Sequence, residues 1–230
     1  MKIITSSLEQ TARLRSDLKL GRAVLIRGKK IKCLVLAIET LKKSNFSNIQ
    51  SNWIENTHLA ITARRAKTLN AVPYDGELAR ILLPTNYSYD WLLATANPAL
   101  DLNYTLKGPF KTMRSGETDI SRAAIELCKK AQLLPAALVI QLSNKDAHNF
   151  EEDHVLLQES SEIIAHSSDA ALLTKVSAAE LPLKEMGKAR IHVFRDSAGL
   201  AEHYAIEVGS PSKKEPLLVR MHCACFTGDI

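Results

Sequence analysis

The stretch over residues 119–141 constrains the fold more than any other part of the chain. Within residues 119–133, apolar side chains recur at the spacing of one helix face and form a continuous stripe. Pro135 then precedes residues 136–141, an apolar run of the kind found in strands that are buried on both faces. A helix with one apolar face, followed by a strand that is apolar on both faces, predicts a sheet covered by helices.

Alternating helices and strands are predicted on either side of this stretch. Two short apolar runs, residues 23–26 and 31–36, flank Gly28-Lys29-Lys30, which predicts a hairpin. A helix is expected to follow through Lys43, and another is expected over residues 150–165.

The pattern changes after residues 175–187, where proline and glycine predict a break in regular structure. Residues 190–195 and 202–208 then alternate between apolar and polar side chains, as strands do. Residues 216–221 are predicted to form a third strand, because they begin with an apolar run.

The length fits one large domain or two small ones. The 230 residues are 46% hydrophobic and 24% charged, which is ordinary for a folded globular protein and argues against wholesale disorder. We therefore predict the fold class α/β (α+β), with one domain over residues 1–175 and the first antiparallel strands of another over residues 176–230.

Charge and hydropathy exclude several classes of partner. A net charge of +5, with scattered basic residues and no interleaved aromatic residues, predicts no nucleic acid partner. No apolar run approaches the ~20 residues that cross a bilayer, so no membrane partner is expected. Cys33 and Cys128 lie in separate apolar stretches and form no disulfide framework, which predicts a cytoplasmic protein with reduced thiols.

Reactive side chains are concentrated in residues 220–230. Cys223 and Cys225 could be metal ligands, or they could be two small buried thiols. Arg220 could bind a phosphate with two parallel hydrogen bonds, or it could be a solvated cation. His222 could be a ligand, a proton carrier or a histidine without a chemical role. Neighbouring side chains of an extended segment point in opposite directions, so these groups cannot all face one ion without a bend.

Residues 220–229, Arg-Met-His-Cys-Ala-Cys-Phe-Thr-Gly-Asp, resemble the signature of GTP cyclohydrolase II, Arg-Val-His-Ser-Glu-Cys-Leu-Thr-Gly-Asp. The resemblance implies that Cys225 is a zinc ligand, the other ligands coming from a later Cys-x-Cys-Gly element. It also implies a GTP-binding segment, in which this chain has Cys223 for serine and Ala224 for glutamate. The residues assigned to GTP are Arg220, Met221, His222, Cys223 and Ala224.

The preceding part resembles dihydroxybutanone-phosphate synthase, best over residues 121–125 and 132–140. In that family an acidic loop, which holds magnesium and the sugar phosphate, should follow the strand at residues 23–26. Here Gly28-Lys29-Lys30-Ile31-Lys32 occupies the place. The resemblance therefore implies a degenerate domain without synthase activity.

Together the resemblances imply a zinc-dependent hydrolase of riboflavin biosynthesis. Its substrate would be GTP, with Mg²⁺ accompanying the nucleotide and Zn²⁺ as cofactor. Its products would be 2,5-diamino-6-ribosylamino-pyrimidinone 5'-phosphate, formate and pyrophosphate. This chain is expected to be an N-terminal fragment that is inactive alone and contains none of the catalytic residues. The alternative is a non-catalytic remnant or split-gene product that serves as a scaffold or dimerisation domain, and a homodimer stays open.

Overall fold

The computed structural model describes residues 6–167, 173–183, 187–196, 202–212 and 214–222. The chain divides into two compact units, Met1–Asp169 and Ala170–Ile230. A seven-stranded sheet with helices lies in the first unit, and a three-stranded sheet lies in the second. The mixed α and β architecture agrees with the predicted fold class.

Helices and strands alternate in the first unit. Its helices are α1 (Ser7–Lys19), α2 (Lys43–Asn52), α3 (Ala63–Thr68), α4 (Tyr89–Ala96), α5 (Asp119–Lys130), α6 (Asn144–Glu152) and α7 (Ser160–Ser167). Its strands are β1 (Val24–Arg27), β2 (Lys32–Ala37), β3 (Thr57–Thr62), β4 (Leu78–Leu82), β5 (Lys111–Thr112), β6 (Ala136–Gln141) and β7 (Leu157–Glu159). The spatial order is β5-β4-β3-β6-β2-β1-β7, in which β1 and β7 are parallel and the other neighbours are antiparallel.

The central strand of this sheet is β6, and both of its faces are buried as predicted. Leu138 and Ile140 belong to one hydrophobic cluster, which also contains side chains of α2 and α4. Ala137 and Val139 belong to a second cluster, which contains side chains of α1, α5 and α7. Because side chains alternate across a strand, β6 contributes to both clusters and the sheet lies between two helical layers.

The predicted apolar stripe forms the buried side of α5. Ile120, Ala124 and Leu127 are among its buried residues and pack in the second cluster. The helix ends at Lys130, three residues before the predicted end. Gln132 has a left-handed φ of 57°, a conformation that a continuing helix cannot contain.

The predicted hairpin is also present. Arg27 of β1 pairs with Lys32 of β2, and residues 28–31 form the turn between them. The Gly28 N–H donates to the Ile31 carbonyl at 2.9 Å, which closes the turn.

Two predicted helices were wrong in their bounds. The helix that was expected to extend through Lys43 is absent, because α2 begins at Lys43. The helix expected over residues 150–165 is replaced by α6, β7 and α7. Ser143 starts α6 early by accepting a hydrogen bond from the Asp146 N–H at 3.1 Å, and His154 (φ 61°) follows the end of that helix.

In the second unit, β8 (Leu173–Leu183), β9 (Gly187–Asp196) and β10 (Glu202–Val208) form an antiparallel sheet in the order β10-β9-β8. The predicted break at residues 175–187 was wrong, because most of it lies in β8 and pairs with β9. The strand predicted over residues 216–221 was also wrong. None of the described strands pairs with that stretch, and Leu218 and Val219 are exposed. An apolar run alone does not make a strand without a partner for its backbone groups.

Side chains alternate in character across the three-stranded sheet. One row on one face joins Ala179, Ile191 and Ile206, whereas the next row, on the opposite face, joins Glu180, Arg190 and Glu207. Among the described residues of this unit, only Ala189 is buried. The described part of the sheet therefore has little hydrophobic core of its own.

No helix in the described ranges has the length and apolar character that a bilayer crossing requires.

A partly buried cluster of three charged side chains, Arg65, Asp101 and Lys107, anchors the segment that follows α4. The Arg65 guanidinium donates to both Asp101 carboxylate oxygens at 2.7 Å, and the Lys107 ammonium contacts the same carboxylate. The Arg65 and Lys107 side chains are almost wholly buried, whereas the Asp101 side chain is 40% exposed. Hydrogen bonds from Arg65, and then from Lys107, hold the pKa of Asp101 well below its usual range.

Replacement of Asp101 by Asn should destabilise the chain in a pH-dependent way. Two cations would lose their counter-ion, and we expect a loss of about 2 kcal/mol at pH 7, below the cost for a wholly buried pair. Because the folded pKa is lowered, the contribution of Asp101 is present above pH ~4 and is lost as the pH falls below it. Urea unfolding at several pH values measures both effects.

Glu126→Gln is the matched control, since Glu126 pairs with the half-exposed Lys129 at 2.7 Å. It should change the free energy of unfolding by less than about 0.5 kcal/mol. Equal effects of the two substitutions, or an Asp101→Asn effect that does not shrink in acid, would contradict this account.

Tyr87 and Tyr89 differ in how their hydroxyls are satisfied. Tyr87 is 3% exposed, and its hydroxyl has no hydrogen-bond partner among the described residues. The Tyr89 hydroxyl donates to the Leu41 carbonyl at 2.7 Å. Burial raises the pKa of Tyr87.

We therefore expect opposite effects from two identical substitutions. Tyr87→Phe should be neutral or stabilising by up to about 1 kcal/mol, because it removes an unsatisfied polar group. Tyr89→Phe should cost about 1 kcal/mol, because it leaves the Leu41 carbonyl without its donor. The urea midpoint of each variant measures its change in stability. A loss of stability for Tyr87→Phe that equals or exceeds the loss for Tyr89→Phe would contradict the claim that the Tyr87 hydroxyl has no partner within the described part of the chain.

Candidate functional site

Three of the predicted site residues lie in the described part of the C-terminal segment. Arg220, Met221 and His222 are exposed and follow one another without regular secondary structure. Cys223, Ala224 and Cys225 lie outside the described residues.

The described residues do not fit a zinc site. Nowhere in the described ranges do three or more His, Cys, Asp or Glu side chains group so that they could hold a metal ion. Cys33 and Cys128 are buried in the first unit, and burial raises the pKa of each thiol to about 12. Both stay protonated near neutral pH and are therefore poor metal ligands and poor nucleophiles.

A groove of about 360 Å³ lies at one end of the three-stranded sheet. Its charged lining residues are Glu180, Lys188, Arg190 and Glu207. Arg190 lies 3.5 Å from Glu180, and Glu207 is 2.8 Å from His192 on the neighbouring strand. The two cations of the lining are balanced by two carboxylates, so the groove has no excess positive charge to attract a triphosphate.

A second candidate site is the end of the large sheet where β1 turns into β2. The resemblance to the synthase places an acidic, metal-binding loop here, and the structure has the 28–31 turn instead. The Glu117 carboxylate lies against this turn and accepts a hydrogen bond from the Lys29 N–H at 2.7 Å. A protein carboxylate, held by the backbone of the turn, therefore fills space beside it.

Arg80 lies behind Glu117 and is 1% exposed. Its guanidinium forms two hydrogen bonds with the Asp75 carboxylate, at 2.8 and 3.0 Å. It also donates to the carbonyls of Glu117 (3.1 Å) and Ser115 (3.0 Å). The charge is paired and its donors are engaged, so Arg80 is not free to bind a substrate anion.

His58 completes this buried group of side chains. Its Nε2 atom is 2.8 Å from the hydroxyl of Ser121, which is 1% exposed. Burial, and then the charge of Arg80, lower the pKa of His58 to about 4, so the ring is neutral at pH 7. The contact resembles a nucleophile and base pair in geometry, but a buried serine is not open to substrate.

Sequence reasoning did not find Asp75, Arg80 or Glu117. A signal existed for Arg80, because a cation in the middle of the apolar strand β4 must find a buried partner. No local signal marked Glu117, which is far from the 28–31 turn in sequence. The polar groups at this sheet end bond mainly to one another, which is a structural arrangement rather than an open catalytic one.

Comparison with known families assigns the C-terminal part. The sequence model of the GTP cyclohydrolase II family matches residues 174–230. The chain is 29% identical over 220 residues to GTP cyclohydrolase-2 of Xylella fastidiosa (strain 9a5c), covering 95% of this chain and 52% of the relative. It is 31% identical over 176 residues to GTP cyclohydrolase-2 of Azospirillum brasilense, covering 75% of this chain and 46% of the relative. The chain therefore spans about half the length of these curated relatives.

Other similarities lie with proteins of riboflavin biosynthesis. The riboflavin biosynthesis protein RibBA of Chlamydia trachomatis is 31% identical over 127 residues, covering 51% of this chain and 29% of the relative. A solved structure of 3,4-dihydroxy-2-butanone 4-phosphate synthase of Candida albicans has a TM-score of 0.50 and 13% identity, covering 68% of this chain and 96% of that chain. At this identity the likeness concerns the fold alone. The chain thus joins a domain with the dihydroxybutanone-phosphate synthase fold to a region that matches the GTP cyclohydrolase II family, and the motif at residues 220–229 predicts the second of these.

Proposed function

We propose that residues 174–230 form the opening part of a GTP cyclohydrolase II catalytic domain, and that this chain alone does not convert GTP. The observation that carries the proposal is the family match over these residues, which contains the motif at residues 220–229. In the complete enzyme the reaction would release formate and pyrophosphate from GTP and feed riboflavin biosynthesis.

The motif assigns a role to each residue of the segment. Arg220 and His222 would contact GTP, since a guanidinium binds phosphate oxygens with paired hydrogen bonds and an imidazole can donate a further one. Met221, Cys223 and Ala224 would line the same subsite. Ala224 lacks the carboxylate that the signature has at this position, so contact with GTP should be weaker here.

Zinc binding would require more than this segment provides. A catalytic zinc needs several protein ligands and an open position, and the motif supplies Cys225 alone. No group of three or more His, Cys, Asp or Glu side chains among the described residues could hold a metal ion on its own. We therefore assign no chemical step to this chain, and we propose zinc, with Mg²⁺ beside the nucleotide, as cofactors of the complete enzyme only.

For the first unit we propose a non-catalytic role as a scaffold or dimerisation domain. The 28–31 turn contains lysines where the resembled synthase has acidic ligands, and Glu117 lies against that turn. Mg²⁺ binding by carboxylate oxygens has no counterpart in a turn of this composition. A homodimer and a cytoplasmic location stay predictions.

Purified chain supplied with GTP, Mg²⁺ and Zn²⁺ should release no formate. The reason is the incomplete ligand set, which cannot hold a zinc ion with an activating geometry. Formate and pyrophosphate are measured against a protein-free control. Release of either product above that control would contradict the proposal.

A fusion protein distinguishes an incomplete catalytic domain from a wrong family assignment. Residues 1–230 are joined to the remaining half of the Xylella fastidiosa relative, with Cys223→Ser and Ala224→Glu restoring the signature. This fusion should release formate, and Arg220→Ala or Cys225→Ser should lower the rate by at least about a hundredfold. Lys214→Ala is the matched control, because it removes an exposed cation of the same segment, and it should leave the rate unchanged. A folded fusion without formate release would refute the family assignment.

A further inference from the structure

The 28–31 turn and the start of α5 are packed more tightly than backbone contacts alone require. A Cβ atom placed on Gly28 would lie 2.1 Å from the Glu117 Oε1 atom and 2.8 Å from its carboxyl carbon. It would also lie 3.0 Å from the Ile120 Cδ1 atom. Gly28 has no left-handed φ, so a larger residue is opposed here not by backbone conformation but by the Glu117 carboxylate, which would have to move.

The Glu117 side chain that fills this space has a rigid base. The carbonyl of Glu117 accepts a hydrogen bond from the Arg80 guanidinium, which Asp75 holds in turn. Gly116, with a φ of 99°, precedes Glu117 and lets the chain pass close to the guanidinium. The carboxylate is therefore presented from a buried, paired group and not from a free loop.

Charge favours the same contact. The turn contributes two exposed cations, Lys29 and Lys30, beside the hydrogen bond from the Lys29 N–H to Glu117. Because the acceptor is an ionised carboxylate, this hydrogen bond is charge-assisted, which makes it stronger than a neutral one.

We propose that Glu117 is an intramolecular lock that holds the 28–31 turn closed against the beginning of α5. The lock consists of Gly28, Lys29, Glu117, Arg80 and Asp75, which come from separate parts of the sequence. It gives this end of the sheet a fixed conformation without any bound ligand, and it engages the Lys29 N–H that an external anion would otherwise meet. This inference concerns the first unit and does not rest on the proposed cyclohydrolase function.

A double-mutant cycle tests the lock. Gly28→Ala should raise the unfolding equilibrium constant on the order of tenfold, because the new methyl group collides with the Glu117 carboxylate. In a Glu117→Ala background the collision with the carboxylate is gone and only the 3.0 Å contact with Ile120 stays, so the same substitution should change the constant by less than about threefold. In a Glu126→Ala background, where a carboxylate within α5 is removed, the tenfold effect should persist. A Gly28→Ala effect that is equal in all three backgrounds would overturn the proposal.

Hydrogen exchange of the Lys29 amide gives an independent readout. Exchange should accelerate at least about tenfold in Glu117→Ala, with amides of β6 unchanged, because one specific acceptor is lost. Glu117→Gln should retain most of the protection, since its side-chain carbonyl can still accept the bond. If Glu117→Ala does not fold, Gly28→Ala alone should accelerate the same amide. A Lys29 amide that exchanges at the wild-type rate in the folded variants would refute the lock.

Discussion

The burial of β6 on both faces is the constraint on which the rest of the first unit depends. This strand hydrogen-bonds to β3 on one side and to β2 on the other, and its side chains enter both hydrophobic clusters. A strand of this kind is stable only when helices cover both sides of the sheet. The two helical layers, the hairpin and the closed sheet end are arranged around it.

At the sheet end beside the 28–31 turn, the charged side chains are paired within the protein. Here Arg80 is paired with Asp75, and Glu117 bonds to the turn. Charges that could have served a ligand are instead satisfied within the protein, which agrees with a structural role for the unit.

Local patterns predicted the parts of the structure that local interactions determine. The α5 stripe, the β1–β2 hairpin and the two-sided strand were all correct, because periodicity and turn residues specify them within a few positions. The predictions over residues 150–165, 175–187 and 216–221 were wrong. Their outcome depends on caps and on strand pairing with distant residues, which an apolar run does not encode.

The two candidate sites differ in how far the local sequence predicts them. The motif at residues 220–229 is contiguous, so a resemblance could identify it without any structure. The group of Asp75, Arg80 and Glu117 is assembled from two loops and one strand, and only the unusual arginine in β4 indicated it in the sequence.

We propose that the first unit folds without the second, whereas residues 174–230 form only the opening part of a GTP cyclohydrolase II catalytic domain. Hydrogen exchange across the whole chain tests it most directly, because amides of a buried central strand open only with global unfolding. We predict slow exchange in β6 and much faster exchange in β8, β9 and β10, whose described side chains are mostly exposed. Exchange in those three strands as slow as in β6 would contradict the account.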